Sequence, residues 1–147
     1  MSEPCPTERP LLTRARIGVL MGGQSAERDV SLRTGTAVHR SLVRRGYNAV
    51  AIDVGPTLYQ DLRDHKIDVV FLALHGPGGE DGAIQGFLET LGIPYTGSGI
   101  QASAIGMHKV TTKTLLTSAR IPVPAGTVVK RDEKISLSTV MKAAKLR

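Results

Sequence analysis

The chain has 147 residues, of which 41% are hydrophobic and 22% charged, as is ordinary for a soluble globular protein with its own core. Sixteen glycines, two Phe, three Tyr and no Trp favour an α/β fold with glycine-rich loops over an aromatic-rich β-sandwich. The net charge is +6, but residues 130–147 carry six Lys and Arg against two acids, which indicates a solvated segment and argues against a nucleic-acid-binding face.

Residues 1–15 predict a polar leader that lacks the apolar core of a signal peptide. Cys5 lies in this leader and is the only cysteine, so no disulfide can form within the chain. The longest apolar run, residues 69–74, is far too short to span a bilayer. We therefore expect a cytoplasmic protein whose partners include neither a membrane nor a nucleic acid.

Apolar periodicity from residue 16 onward predicts strands that alternate with helices. The predicted strands cover residues 17–21, 48–54, 68–74, 93–96 and 127–129, and the predicted helices cover residues 25–45, 58–66, 83–91, 100–119 and 138–146. This alternation predicts a Rossmann-like parallel sheet with helices on both faces. A change in composition after about Met107 divides the chain into an α/β domain over residues 16–107 and the start of a second domain over residues 108–147.

Three predicted strands are followed by glycine-rich loops, at residues 22–25, 75–82 and 97–99. Because the carboxyl ends of parallel strands meet at one edge of a sheet, we expect the three loops to open on the same edge. Each loop leads into a helix N-terminus, whose free N–H groups attract anions. A tight turn is enough to explain one such loop, but three on one edge favour a small-molecule binding site.

Two ionisable residues stand out in these loops. Glu27 either offsets the dipole of its helix or pairs with a cation such as a substrate ammonium. His75 either bonds to nearby backbone or donates to a carboxylate or phosphate. Glu80 and Asp81 are interpreted as acids at the N-terminus of a helix. The sequence contains no zinc-ligand spacing, no phosphate loop of the Walker type and no dinucleotide fingerprint.

Several motifs resemble those of the D-alanine–D-alanine ligase family. Residues 22–31 (GGQSAERDVS) are similar to the first signature of that family, and residues 74–82 (LHGPGGEDG) are similar to the second. Further matches in the same order and spacing are residues 85–86, 93–99 and 102–109. The resemblance runs from about residue 16 to residue 129, and several motifs in order are far more specific than any one alone.

The resemblance implies a pre-ATP-grasp domain followed by the first segment of an ATP-grasp domain. It implies an enzyme that joins two D-alanines through an acylphosphate to D-alanyl-D-alanine for peptidoglycan synthesis, with ATP and either magnesium or manganese. By the same resemblance, Glu27 and His75 would be the catalytic residues. Glu27 would hold the ammonium of the first D-alanine, and His75 would lie by its carboxylate. Gly99 would form part of the same cleft, and Lys109 would reach the nucleotide phosphates. A homodimer is expected as a partner, although the sequence itself does not give the oligomeric state.

Two features depart from the family pattern. His108 stands where the family usually has an acid, directly before Lys109. The magnesium-binding carboxylates, a transition-state arginine and most ATP-binding strands are expected beyond Arg147, so no metal ligand is assigned and the chain alone is expected to be inactive. The alternatives are a ligase that makes D-Ala–D-lactate or D-Ala–D-Ser, a non-catalytic small-molecule binding module, and a segment that only docks a partner chain.

Overall fold

The computed structural model of the chain describes residues 14–126, 128 and 136–143. Within these ranges the strands are β1 (Arg16–Gly22), β2 (Asn48–Val54) and β3 (Val69–Leu72), and the helices are α1 (Arg28–Arg44), α2 (Leu58–Asp64), α3 (Ala83–Thr90), α4 (Ile100–Met107), α5 (Lys109–Ser118) and α6 (Leu137–Ala143). Most of the predicted leader, Cys5, residues 127 and 129 of a predicted strand and the end of the last predicted helix lie outside the described residues.

The three strands form a parallel sheet in the order β2-β1-β3. β1 is the central strand, and its Leu20 pairs with Ile52 on one side and Leu72 on the other. The carboxyl ends of all three strands therefore meet at one edge, where the loops after β1 and β3 are neighbours. This arrangement confirms the predicted parallel α/β sheet.

The alternation of side chains along β1 builds a separate core on each face of the sheet. Leu20 packs with Ile52 and with residues of α2 and α3, including Leu62 and Leu88. Val19 packs on the opposite face, in a cluster bordered by Leu42 of α1 and other side chains of that helix. Val19 and Leu20 are both completely buried, as expected for a central strand covered by helices on both faces.

The strand predicted over residues 93–96 is reduced to a single bridge between Val70 and Tyr95. The N–H of Val70 donates to the carbonyl of Pro94. Pro94 itself has no N–H to continue the ladder toward the start of β3. On the other side, the N–H of Leu72 bonds to the hydroxyl of Thr96 at 3.1 Å, so the ladder ends there as well.

The chain divides into two compact units, the first ending at Ala104 and the second beginning at Ile105. The single helix predicted over residues 100–119 is wrong, because α4 ends at Met107 and α5 begins at Lys109. His108 between them has an extended backbone (φ −94°, ψ 88°), and its Nδ1 accepts the N–H of Thr111 at 3.2 Å. A side chain that caps a new helix in this way starts α5 afresh.

No helix in the described part of the chain is both long and apolar enough to cross a membrane.

Candidate functional site

The carboxyl ends of the strands open on a cleft of about 440 Å³. Its walls are formed by residues 22–25 after β1, residues 54–55 at the end of β2, and residues 74–75 and 77–79 after β3. Two of the three predicted glycine-rich loops therefore share one cleft at the edge where ligands bind in such sheets.

An ion pair fastens the loop after β1 to the end of β2. Arg28 donates from its two terminal nitrogens to the two carboxylate oxygens of Asp53, at 2.7 and 2.6 Å, and also to the carbonyl of Gly23 at 3.2 Å. The hydrogen bond from Arg28 holds the pKa of the Asp53 carboxyl below its usual range. Gly22 has a φ of +79°, and a Cβ there would collide with Asp53, so the pair fits only against glycine.

A buried serine ties the ends of β1 and β3 together beneath the cleft. The hydroxyl of Ser31, on the first turn of α1, accepts the N–H of Gly22 at 2.8 Å and donates to the carbonyl of Ala73 at 2.7 Å. Ser31 is completely buried, and its hydroxyl both accepts and donates a hydrogen bond, so the buried group has its partners. The two strand ends that carry the loops are thus fixed to the same helix.

Glu27 occupies the N-cap position of α1, but its carboxylate does not cap the helix. The side chain is exposed and lies against the loop after β3, where a Cβ on Gly76 would collide with its Oε2. Gly76 has a φ of +71°, so glycine serves both the turn and this close approach. Within the described residues, the Glu27 carboxylate makes neither a hydrogen bond nor an ion pair.

His75 lies in the cleft wall, with a side chain that is 30% exposed. Its Nε2 is 3.3 Å from the hydroxyl of Thr34, and its Nδ1 is 3.5 Å from Oε1 of Glu80. Its main-chain carbonyl accepts the hydroxyl of Ser25 at 2.7 Å. Both ring nitrogens of His75 therefore have partners, while the residue lines the cleft.

The acids that follow His75 shape its loop. Glu80 accepts the N–H of Gly76 at 2.8 Å, and Asp81 accepts the N–H groups of Gly78 at 2.8 Å and Ala83 at 3.1 Å. The bond from Gly78 and then the bond from Ala83 hold the pKa of the Asp81 carboxyl below its usual range. Asp81 thus meets the first free N–H of α3, as predicted for an acid at a helix N-terminus.

Gly99 lies farther along the first unit, directly before α4. A Cβ there would be 3.9 Å from both Oε1 of Glu89 and the hydroxyl of Tyr95, which are bonded to each other at 2.6 Å. Among the described residues, those that wall the cleft include His75 but neither Gly99 nor Glu27. The structure thus puts Glu27 beside the loop of His75, and a role for Gly99 in the cleft stays a prediction.

Lys109 is the first residue of α5 in the second unit and is exposed. It borders a cavity of about 660 Å³ together with Lys113, Thr114 and Ser118. Lys113 Nζ also donates to the carbonyl of Pro124 at 3.0 Å. The hydroxyls of Thr114 and Ser118 donate to carbonyls of their own helix, so the ammonium groups are the donors on this wall that suit phosphate oxygens.

The sequence does not single out Ser25, Arg28 or Asp53, although each organises the cleft. Ser25 and Arg28 lie inside the motif at residues 22–31, and Asp53 lies near the end of a predicted strand, at the edge where ligands bind. A search for polar side chains at every strand end would have found Asp53. Its pairing with Arg28, 25 positions away, depends on the register of β1 and β2 and needs the structure.

The family model described as "D-ala D-ala ligase N-terminus" matches residues 57–98. A D-alanine–D-alanine ligase of Geotalea uraniireducens is 54% identical over 86% of this chain and 41% of its own length. The corresponding ligase of Desulforudis audaxviator is 60% identical over 74% of this chain and 36% of its own length. The chain therefore spans about two fifths of the length of these curated relatives.

Among solved structures, the D-alanine–D-alanine ligase from Bacillus anthracis complexed with ATP aligns with a TM-score of 0.73 and 38% identity. The alignment covers 87% of this chain and 44% of that ligase. The ligase from Coxiella burnetii aligns with a TM-score of 0.68 and 29% identity, over 82% of this chain and 46% of its own.

Proposed function

The chain belongs to the D-alanine–D-alanine ligase family, whose N-terminal region it matches, and from this we propose that it builds the first-substrate site of such a ligase. The reaction would join two D-alanines for peptidoglycan synthesis in the cytoplasm. ATP supplies the phosphoryl group that activates the carboxylate of the first D-alanine. The amine of the second D-alanine then attacks that carbonyl carbon, the new amide bond forms, and phosphate leaves.

Glu27 is the proposed anchor for the ammonium of the first D-alanine. The observation that carries this proposal is the direction of its carboxylate, which leaves the N-terminus of α1 uncapped and lies against Gly76 in the loop of His75. An acid that caps a helix accepts an N–H of that helix, whereas a cation anchor needs a carboxylate with free oxygens.

His75 is the proposed neighbour of the carboxylate of the same D-alanine. Its ring lines the cleft, with Nε2 beside Thr34 and Nδ1 beside Glu80, so donation to the substrate carboxylate would require one of these two contacts to be exchanged for the anion. Holding both charged ends of a zwitterion fixes which carboxylate meets the phosphoryl group. Gly99, which precedes α4, is proposed to extend this site.

Lys109 is the proposed contact for the phosphates of ATP. Its exposed ammonium and the neighbouring Lys113 fit a polyphosphate, because cations near the transferring group stabilise its charge. A divalent metal is a different case: within the described ranges, no three His, Cys, Asp or Glu side chains come together to hold one. Magnesium or manganese, which the resemblance implies for the complete enzyme, and a homodimer both stay predictions.

Replacing Glu27 by Gln in a full-length ligase that carries this sequence tests the anchor. The change keeps the size and removes the charge. We expect kcat/KM for the first D-alanine to fall about 10- to 150-fold, because a charge-assisted hydrogen bond contributes roughly 1.5–3 kcal/mol to a bound complex. Steady-state kinetics at low D-alanine measure this, and the melting temperature should shift by about 2 °C or less.

Asp29→Asn is the matched control, because Asp29 is an exposed acid in the first turn of the same helix. We expect this variant to keep normal kinetics for D-alanine. If Glu27→Gln behaves as Asp29→Asn does, with normal D-alanine kinetics, then Glu27 only serves the helix and the anchor is wrong.

A further inference from the structure

We propose that Ser25 is a positioning residue, whose hydroxyl sets the separation of Glu27 and His75. This inference rests on the function proposed above. The hydroxyl of Ser25 accepts the N–H of Glu27 at 3.1 Å and donates to the carbonyl of His75 at 2.7 Å. One side-chain oxygen therefore bonds to the main chain of both residues that are proposed to hold the two ends of the first D-alanine.

The two loops need such a link because they belong to different strands. Glu27 follows β1 and His75 follows β3, and the hydroxyl of Ser25 bridges 50 positions of sequence to reach the second loop. Ser31 makes an analogous bridge with the same bond pattern, but deeper, between the ends of the strands themselves. Ser31 is completely buried, whereas Ser25 is half-buried and lines the cleft.

Close contact makes the spacing of these loops exacting. Gly76, next to His75, would collide with the Glu27 carboxylate if it carried a Cβ, and that Cβ would lie 3.3 Å from the Ser25 hydroxyl. A zwitterionic amino acid carries its two charges on groups attached to one carbon, so the groups that bind them must keep a fixed separation. A misplacement of about 1 Å in such a site can lower the rate about 100-fold.

Ser25 acts in this proposal through Glu27 and His75, and its substitution should change substrate use more than stability. The test compares Ser25→Ala, Ser25→Thr, Ser31→Ala and Glu27→Gln in the full-length ligase. For Ser25→Ala we expect kcat/KM for the first D-alanine to fall about tenfold or more, with KM for ATP within about twofold of the parent. Ser25→Thr keeps a hydroxyl and should recover kcat/KM to within about threefold.

Ser31→Ala is the structural control, since it removes a hydroxyl with the same kind of bonds from a buried position. We expect it to lower the melting temperature clearly more than Ser25→Ala does, because it leaves buried backbone groups unpaired.

Three results would overturn the positioning role. They are normal D-alanine kinetics in Ser25→Ala, an equal loss toward ATP and D-alanine, and a Ser25→Thr variant as impaired as Ser25→Ala. The Glu27→Gln variant separates this inference from the function beneath it. If Glu27→Gln is impaired and Ser25→Ala is not, only the role of Ser25 fails; if Glu27→Gln uses D-alanine normally, the proposed first-substrate site fails.

Discussion

The pair formed by Arg28 and Asp53 shows how one residue contact makes stability depend on pH. The hydrogen bond from Arg28 lowers the pKa of Asp53 below its ordinary value of 3.8. A carboxyl with a lowered folded-state pKa stabilises the fold at pH values above its unfolded pKa. That stabilisation is lost as the pH falls through the folded-state pKa, when the carboxylate is protonated.

Asp53→Asn should therefore destabilise the chain near neutral pH and make little difference in acid. The side chains of Arg28 and Asp53 are 43% and 51% exposed, so we expect less than about 1 kcal/mol at pH 7. Urea unfolding of both proteins from about pH 7 down to about pH 2 measures the difference.

Asp64→Asn is a suitable control, because Asp64 is an exposed acid on α2 that accepts the amide of Gln60, a bond that asparagine can still accept. A stability difference between parent and Asp53→Asn that persists unchanged into acid would contradict the ionic origin of the effect.

The sequence predicts which residues are candidates for chemistry better than it predicts where their side chains point. A glutamate at the start of a helix has two plausible roles, and the sequence of residues 22–31 does not decide between them. The decision depends on Gly76, which is 49 positions away and approaches Glu27 only because β1 and β3 pair in register. The residues were therefore predictable as candidates, while their contacts required the sheet.

At the scale of elements, the predicted positions of most strands and helices match the structure to within a few residues. The predicted bounds of β2 coincide with the observed strand, and α1 and α3 differ from prediction only at their ends. The prediction was wrong at residues 100–119, since apolar spacing continues through His108 and carries no information about a capping side chain. The N-cap bond of His108 is local chemistry that overrides periodicity.

His108→Ala tests whether this bond separates α4 from α5. The substitution removes the acceptor for the N–H of Thr111, and loss of an N-cap acceptor costs about 0.5–2 kcal/mol. We expect faster amide hydrogen exchange at Thr111 and in the first turn of α5, while amides of β1 keep their protection. Unchanged exchange at Thr111 would mean that the cap contributes nothing to the start of α5.

At the scale of the whole molecule, the chain spans about two fifths of the length of its curated relatives. We therefore expect the 147-residue chain alone to release no phosphate from ATP in the presence of D-alanine and magnesium. A phosphate-release assay measures this, with a full-length ligase of the family as the positive control. Turnover on the order of 1 per second or faster by the chain alone would contradict the expectation.

The position of β1 at the centre of the sheet also bears on how the protein is made. The ribosome delivers β1 before β2 and β3, so the most buried strand is the first of the three to emerge. One edge stays unpaired until Val54 has been synthesised and the other until Leu72, delays on the order of seconds at cellular elongation rates. The nascent chain thus exposes an apolar strand with unpaired edges early in synthesis. The two walls of the cleft can face each other only after β3 has paired with β1.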